Sequence, residues 1–284
     1  MVQISLKDTV NRLQPCYTES VILLARNSPG GENCVWIVVE GDDDIEIYEK
    51  FFDPDCTKVL PSEIDGKKGC TYLEQIVANL LSTDISIPVF GIRDADYTRY
   101  ENPPRKFPNS VFATDYRDIE TMMLAAQSVT RALMKWNHRF SNALIQCLPI
   151  ARHIGYMRAC NYLNDLGCNF KKRVKTSVAW DENTKTFVPD WQERLLKLFL
   201  TNCKKPFSQQ QWKTEICKRG LNREEDLYIC QGHDLLRLLQ YTMNPNDRLR
   251  ERMVVAYSLS DFRQTHLYKD ISAWEKTHHV KALI

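Results

Sequence analysis

Glu40, Asp94 and Asp96 are the residues whose type and spacing point most directly to chemistry. Glu40 ends the apolar run Cys34–Val39 (CVWIVV), and Asp94 and Asp96 follow a second run, Pro88–Arg93 (PVFGIR). Asp44 stands four residues beyond Glu40, and Asp115, Asp118 and Glu120 follow a third short run, Val111–Thr114. Runs of this length and β-branched content predict buried strands. If the strands are parallel, their carboxyl ends share one sheet edge, where α/β proteins place their ligands. Carboxylates gathered there repel one another unless a cation sits among them. Oxygen ligands suit Mg2+ or Mn2+ better than zinc, and such ions clamp phosphates and activate water. The expected chemistry is phosphodiester cleavage. Each acid taken singly also fits a helix cap or a solvated surface. It is the ordered pair of strand ends that favours a site.

The elements that must position these acids alternate. Helical spacing of apolar residues predicts a helix over 4–27, with a turn at Ser28–Asn33 before the first strand. Asp42–Phe52 reads as a helix with three aspartates at its start, where the helix dipole favours negative charge. Lys58–Pro61 reads as a short strand, Thr71–Leu81 as a helix with Leu73, Ile76, Val77 and Leu80 in phase, and Arg117–Gln127 as another helix. Strand–helix alternation predicts an α/β fold with a parallel sheet flanked by helices. Beyond about residue 125 the strand signals fade. Ser128–Lys135, Ser141–Leu166, Trp191–Thr201, Ser208–Arg219 and His233–Thr242 read as helices, with one or two more in Asp247–Leu267. The expected division is a metal-binding α/β domain over 1–125 and a mainly helical, basic region over 126–284.

The run Val38-Val39-Glu40-Gly41, a following strand–helix unit, and then Gly91-Ile92-Arg93-Asp94-Ala95-Asp96 resembles the TOPRIM domain. That family, shared by topoisomerases, bacterial primases, OLD-type nucleases and small RNases, carries a Glu after its first strand and Asp-x-Asp after a later one. Glu40-Gly41-Asp42-Asp43-Asp44, with Asp44 as a second acid, and Thr114-Asp115-Tyr116-Arg117-Asp118-Ile119-Glu120 are similar to the AriB-like TOPRIM nucleases of PARIS anti-phage systems. Gln231-Gly232-His233-Asp234-Leu235-Leu236 resembles a late segment of the same group more loosely. The resemblance covers about residues 35–122 well.

It implies a TOPRIM-like sheet and a Mg2+ or Mn2+ site built from Glu40, Asp44, Asp94, Asp96 and Glu120, with Asp115 and Asp118 competing for the last place. It also implies a toxic endonuclease in anti-phage defence, cleaving tRNA, acting as a homodimer and held inactive by a partner ATPase of the ABC or AAA type. The chain has no G-x-x-x-x-G-K-[ST] motif of its own. A DNA nuclease and a non-catalytic interaction module of the same shape stay open, and the sequence does not separate RNA from DNA.

Charge is divided unevenly. Residues 1–125 hold 12 Lys+Arg against 21 Asp+Glu, and residues 126–284 hold 26 against 15. An acidic centre beside a basic, nucleic-acid-holding half would look like this, as would two differently solvated surfaces. Lys67 and Lys68 follow the second strand and are candidates for phosphate contact, as are Lys171, Lys172, Arg173 and Lys175 in the densest basic run. Most of Trp136, Trp180, Trp191, Trp212 and Trp274 are assigned to core packing, with base stacking as the alternative. The ten cysteines form no C-x-x-C pair, which argues against a zinc ribbon and for reduced thiols. No apolar run approaches the ~20 residues of a membrane span. The polar start of the chain lacks the core of a signal peptide. A cytoplasmic protein without membrane contact is expected.

Overall fold

The computed structural model describes residues 17–27, 34–82, 87–170, 174–243 and 248–284. Its packing groups these into two compact units. The first comprises the described residues up to Asp94, Lys106–Thr114 and Phe262–Ile284; the second comprises Ala95–Arg105 and Asp115–Asp261.

The first unit is built on four parallel strands, β1 (Val35–Val39), β2 (Thr57–Pro61), β3 (Val89–Arg93) and β4 (Val111–Ala113), in the order β2-β1-β3-β4. Every residue of β1 and β3 is buried, which is why both read as unbroken apolar runs. Helix α1 (Tyr17–Arg26) and helix α3 (Cys70–Leu81) contribute apolar side chains to one core cluster. The α3 stripe Leu73, Ile76, Val77 and Leu80 packs there with Ile22, Trp36, Val38, Val89 and Val111. Each such side chain stabilises the fold by roughly 1.5–3 kcal/mol. Gly91 lets α3 seat this closely, since a Cβ at that position would lie 2.5 Å from Leu73 Cδ2. Helix α2 (Asp42–Tyr48) leaves β1 through Gly41 and runs into a 3-10 turn at Glu49–Phe51.

Aromatic rings make a second cluster. Phe51 stacks on Phe262 with centroids 4.4 Å apart, and Phe90 meets Phe52 at 5.8 Å and Trp274 at 4.8 Å. The Trp274 indole N–H donates to Ser110 Oγ at 3.0 Å. Lys281 pairs with Asp53 at 2.8 Å, and Leu283 bridges to Phe52. This is why 262–284 groups with the sheet. The sequence division at 125 follows charge and strand signal, so it cuts the chain differently from packing.

The second unit is mainly helical. It contains α4 (Ile119–Ala125), α5 (Gln127–Trp136), α6 (Phe140–Asn164), α7 (Trp191–Asn202), α8 (Gln209–Lys218), α9 (Asp226–Ile229), α10 (Gly232–Thr242) and α11 (Leu249–Ala256). Helix α12 (Leu259–Phe262) follows at the boundary, and α13 (His266–His278) belongs to the first unit. On α6, Arg158 holds Asp234 of α10 through two bonds of 2.6 and 3.1 Å, with Phe170 under its guanidinium at 4.4 Å. Arg152 reaches Asp226 of α9 at 2.7 Å. A short antiparallel pair, β5 (Trp180–Asp181) and β6 (Thr186–Phe187), was not anticipated, because two-residue strands leave no periodic signal. The expected helices otherwise fall within a few residues of those observed, and α13 lies beyond the last one read. The expected turn at Ser28–Asn33 and the first part of the expected helix 4–27 lie outside the described residues. Among the described residues, no helix is long and apolar enough to cross a membrane.

Candidate metal centre

In the first unit, β1 and β3 are hydrogen-bonded neighbours with Val39 opposite Ile92, so their carboxyl ends lie side by side. Glu40 is the residue after β1 and Asp94 the residue after β3. A Glu40 carboxylate oxygen accepts the Asp94 backbone N–H at 3.0 Å, which anchors the carboxylate over the end of β3.

Ser62, which is fully buried, fixes this corner. It follows β2, donates from Oγ to the Glu40 carbonyl at 3.0 Å and accepts the Gly69 N–H at 3.1 Å. One hydroxyl therefore joins the ends of β1 and β2 to the start of α3. Gly69 has φ +128°, a backbone conformation that side chains disfavour, and it delivers Cys70 as the first residue of α3. The Cys70 sulfur and a Glu40 carboxylate oxygen lie within 4.8 Å of each other.

Asp44 lies in the first turn of α2, and its Oδ2 accepts the Gly41 N–H at 3.0 Å. This carboxylate caps the helix directly after Glu40. Lys68 reaches Asp42 at 2.5 Å and Glu63 at 3.3 Å. The Asp42 hydrogen bond is the main reason its pKa lies above the usual lysine value. Lys67 closes a tight turn with Ile64 and its side chain is exposed.

Behind Asp94 lies Arg93, with a side chain only 1% exposed. Its Nε donates to the Asp94 carbonyl at 2.9 Å, its Nη1 pairs with Glu74 of α3, and its guanidinium lies 5.0 Å from the centre of the Phe107 ring. A charge inside a buried strand must be paired, so Arg93 within the apolar run PVFGIR itself marks a buried acidic partner. Ser62, Cys70 and Glu74 carried no comparable signal.

The second unit holds the other expected acids. Asp96 has φ +51°, accepts from Arg117 Nη1 at 2.6 Å and donates its backbone N–H to the Arg117 carbonyl at 3.1 Å. Arg117 also lies 4.5 Å from the Tyr97 ring centre. Asp118 is the N-cap of α4, accepting from Thr121 N–H at 2.9 Å and from Gly232 N–H at 2.7 Å. Burial, and then the neighbouring Glu120 charge, raise the Asp118 pKa. Glu120 is 2% exposed and pairs with Arg250 Nε at 2.9 Å, with His233 Nδ1 at 3.8 Å. The segment Gln231–Leu236 thus packs on the start of α4 through Gly232 and His233. The Asp115 carbonyl accepts from Arg99 Nη2 at 2.7 Å. Arg117 and Arg250, as partners of Asp96 and Glu120, were not foreseen. Lys175 is exposed, and Lys171, Lys172 and Arg173 lie outside the described residues.

Chemically, the first-unit corner offers the Glu40 carboxylate, held against the Asp94 backbone N–H, with the Asp44 carboxylate in the first turn of the following helix. These are hard donors of the kind that hold Mg2+ or Mn2+. The Cys70 thiol beside them departs from an all-oxygen set and favours softer ions. Compared with protein-family models, with curated proteins and with solved structures, the chain matches none.

Proposed function

We propose that the protein is a Mg2+- or Mn2+-dependent endonuclease with a TOPRIM-like fold. The observation that carries this reading is the Glu40 carboxylate held against the Asp94 backbone N–H at the joined ends of two neighbouring parallel strands. Glu40 and Asp94 would hold the ion, with Asp44 completing the shell, and the resemblance adds Asp96 and Glu120. Bound there, the ion would neutralise charge on a phosphodiester and lower the pKa of an attacking water. Arg93 fixes the backbone that presents Asp94, and Ser62 fixes that of Glu40. Lys68, kept protonated by Asp42, offers positive charge near the start of α2. The basic residues after 125 would hold the nucleic acid through its phosphates, so binding would weaken as salt rises. The resemblance supports RNA, with tRNA foremost, as substrate in an anti-phage response. It also supports a homodimer controlled by a partner ATPase.

The test is direct. Purified protein is incubated with total tRNA or plasmid DNA and Mg2+ or Mn2+, beside Glu40→Ala and an EDTA control. Cleavage by the wild type alone, abolished by EDTA, is the expected result. Equal behaviour of wild type and Glu40→Ala on every substrate would sink the reading.

The ion pairs Asp96–Arg117 and Glu120–Arg250 favour a second reading, a non-catalytic interaction module in which these acids serve the fold. Under that reading, neither acid is needed for anything but stability, and no cleavage occurs with either metal.

A further inference from the structure

Helices α5 and α11 flank a cleft of about 660 Å3 in the second unit. Its lining includes Leu133, Trp136, Arg248, Glu251, Arg252 and Val255. Small-molecule sites fall in roughly the 300–1,000 Å3 range, so one nucleotide fits. Leu133 is buried, whereas Val255 is 83% exposed and Trp136 is half-buried. Trp136 therefore lies outside the core: part of its indole faces an open cleft. Arg252 lies across that indole, its guanidinium carbon 4.0 Å from the ring centre.

We propose that this cleft is a nucleobase-binding subsite for single-stranded nucleic acid, with the base stacked on the Arg252–Trp136 pair and its phosphate held by Arg248. Three observations carry the assignment. A guanidinium lying on an indole extends the flat π surface, and bases stack on both aromatic and guanidinium planes. The charge fits a polyanion: α5 holds Arg131 and Lys135 and no acid, and the cleft lining holds two arginines against one glutamate. The cleft is also lined mainly by apolar groups with a few charged ones, the composition that accepts a flat ring with a charged tail. Stacking tolerates any base, so the site supports strand binding without sequence preference.

The inference rests on the nucleic-acid part of the proposed function and not on its metal chemistry, so binding is measured in EDTA. Anisotropy of a fluorescein-labelled single-stranded 12-mer of uridine reports affinity. Trp136→Ala is expected to weaken binding by about 5- to 150-fold, the range of one lost base stack. Arg252→Lys keeps the charge but removes the plane, and is expected to weaken binding as well. Trp136→Phe keeps a ring and retains most of the affinity. Arg248→Ala reduces the salt dependence by about 0.7 in log–log slope. An abasic 12-mer is expected to bind wild type and Trp136→Ala alike, since only phosphate contacts remain.

Absence of binding by the wild type overturns the proposal. So does unchanged affinity in both Trp136→Ala and Arg252→Lys, which leaves the cleft to a protein partner. If Trp136→Ala fails to fold, the exposed Arg252→Lys substitution decides alone. Metal-dependent cleavage that survives these variants at wild-type affinity leaves the nuclease reading intact and removes this one. Trp136-dependent binding without cleavage does the reverse.

Discussion

Replacing Glu74 by leucine strands the Arg93 guanidinium in the core of the first unit. Arginine stays protonated whatever its surroundings, so the charge cannot be relieved by losing a proton. The Arg93 side chain is 1% exposed and that of Glu74 13%. Breaking a buried pair from one side typically costs 3–5 kcal/mol. The slight exposure of Glu74 admits some water, which puts the expected loss near the lower end, about 3 kcal/mol. That is a large part of the roughly 5–15 kcal/mol by which most domains are stable. Urea denaturation followed by far-UV circular dichroism measures it.

Removing both charges, as Arg93→Met with Glu74→Leu, is expected to recover most of the loss, because apolar replacement of a buried pair is often close to neutral. The double variant then isolates the functional part. It folds but no longer holds the Asp94 carbonyl, and outer-shell partners of a metal ligand typically contribute 10–100-fold in affinity. Titration with Mn2+ is expected to show a loss of that order. If Glu74→Leu is within about 1 kcal/mol of wild type, the ion pair does not matter as argued. If the double variant binds Mn2+ as wild type does, Arg93 is not a positioning residue.

Other outcomes follow from the same geometry. Cys70→Ser is expected to abolish a thiolate–Cd2+ absorbance band near the ultraviolet edge while leaving Mn2+ affinity within a few-fold, because only the soft ion gains from sulfur; an unchanged band refutes this. Gly91→Ala pushes a methyl to 2.5 Å from Leu73 Cδ2 and is expected to destabilise by about 1–3 kcal/mol, with Leu73→Ala relieving the clash in a double-mutant cycle. His153 lies edge-on to Trp191 and Trp212 at 5.3 and 5.1 Å, and burial pushes its pKa from 6.5 down to about 4. The unfolded chain therefore takes up this proton more readily than the folded one. Its contribution is complete above pH 6.5 and is lost as pH falls toward 4. The loss is about 2–3 kcal/mol. His153→Phe is expected to flatten stability over that window relative to wild type, and parallel profiles would refute the assignment.

Much of the sheet was readable in the residues. VWIVV and VFGIR are buried on both faces, so their apolar runs carry the signal of parallel strands directly, and the acids that follow them mark the strand ends. The first turn of α2 announced itself through three aspartates. What could not be read was anything set by distant packing. Arg93 looks like a strand terminus until Glu74 is seen beside it. Nothing in the spacing of Asp96 and Glu120 announces that Arg117 and Arg250 pair with them. Trp274 gives no hint that it packs on Phe90, some 180 residues earlier, because ring contacts at that separation leave no periodic trace.

That last contact has a consequence for biosynthesis. The sheet unit includes Phe262–Ile284, and Asp115–Asp261 of the helical unit are made before it. With translation running at roughly 5–20 residues per second, those roughly 150 intervening residues impose a delay of about 7–30 s. During it Phe51 waits for Phe262, and Phe90 of β3 waits for Trp274. A nascent chain would thus have all four strands of the sheet made, and the helical residues after them, before the rings that cover Phe51 and Phe90.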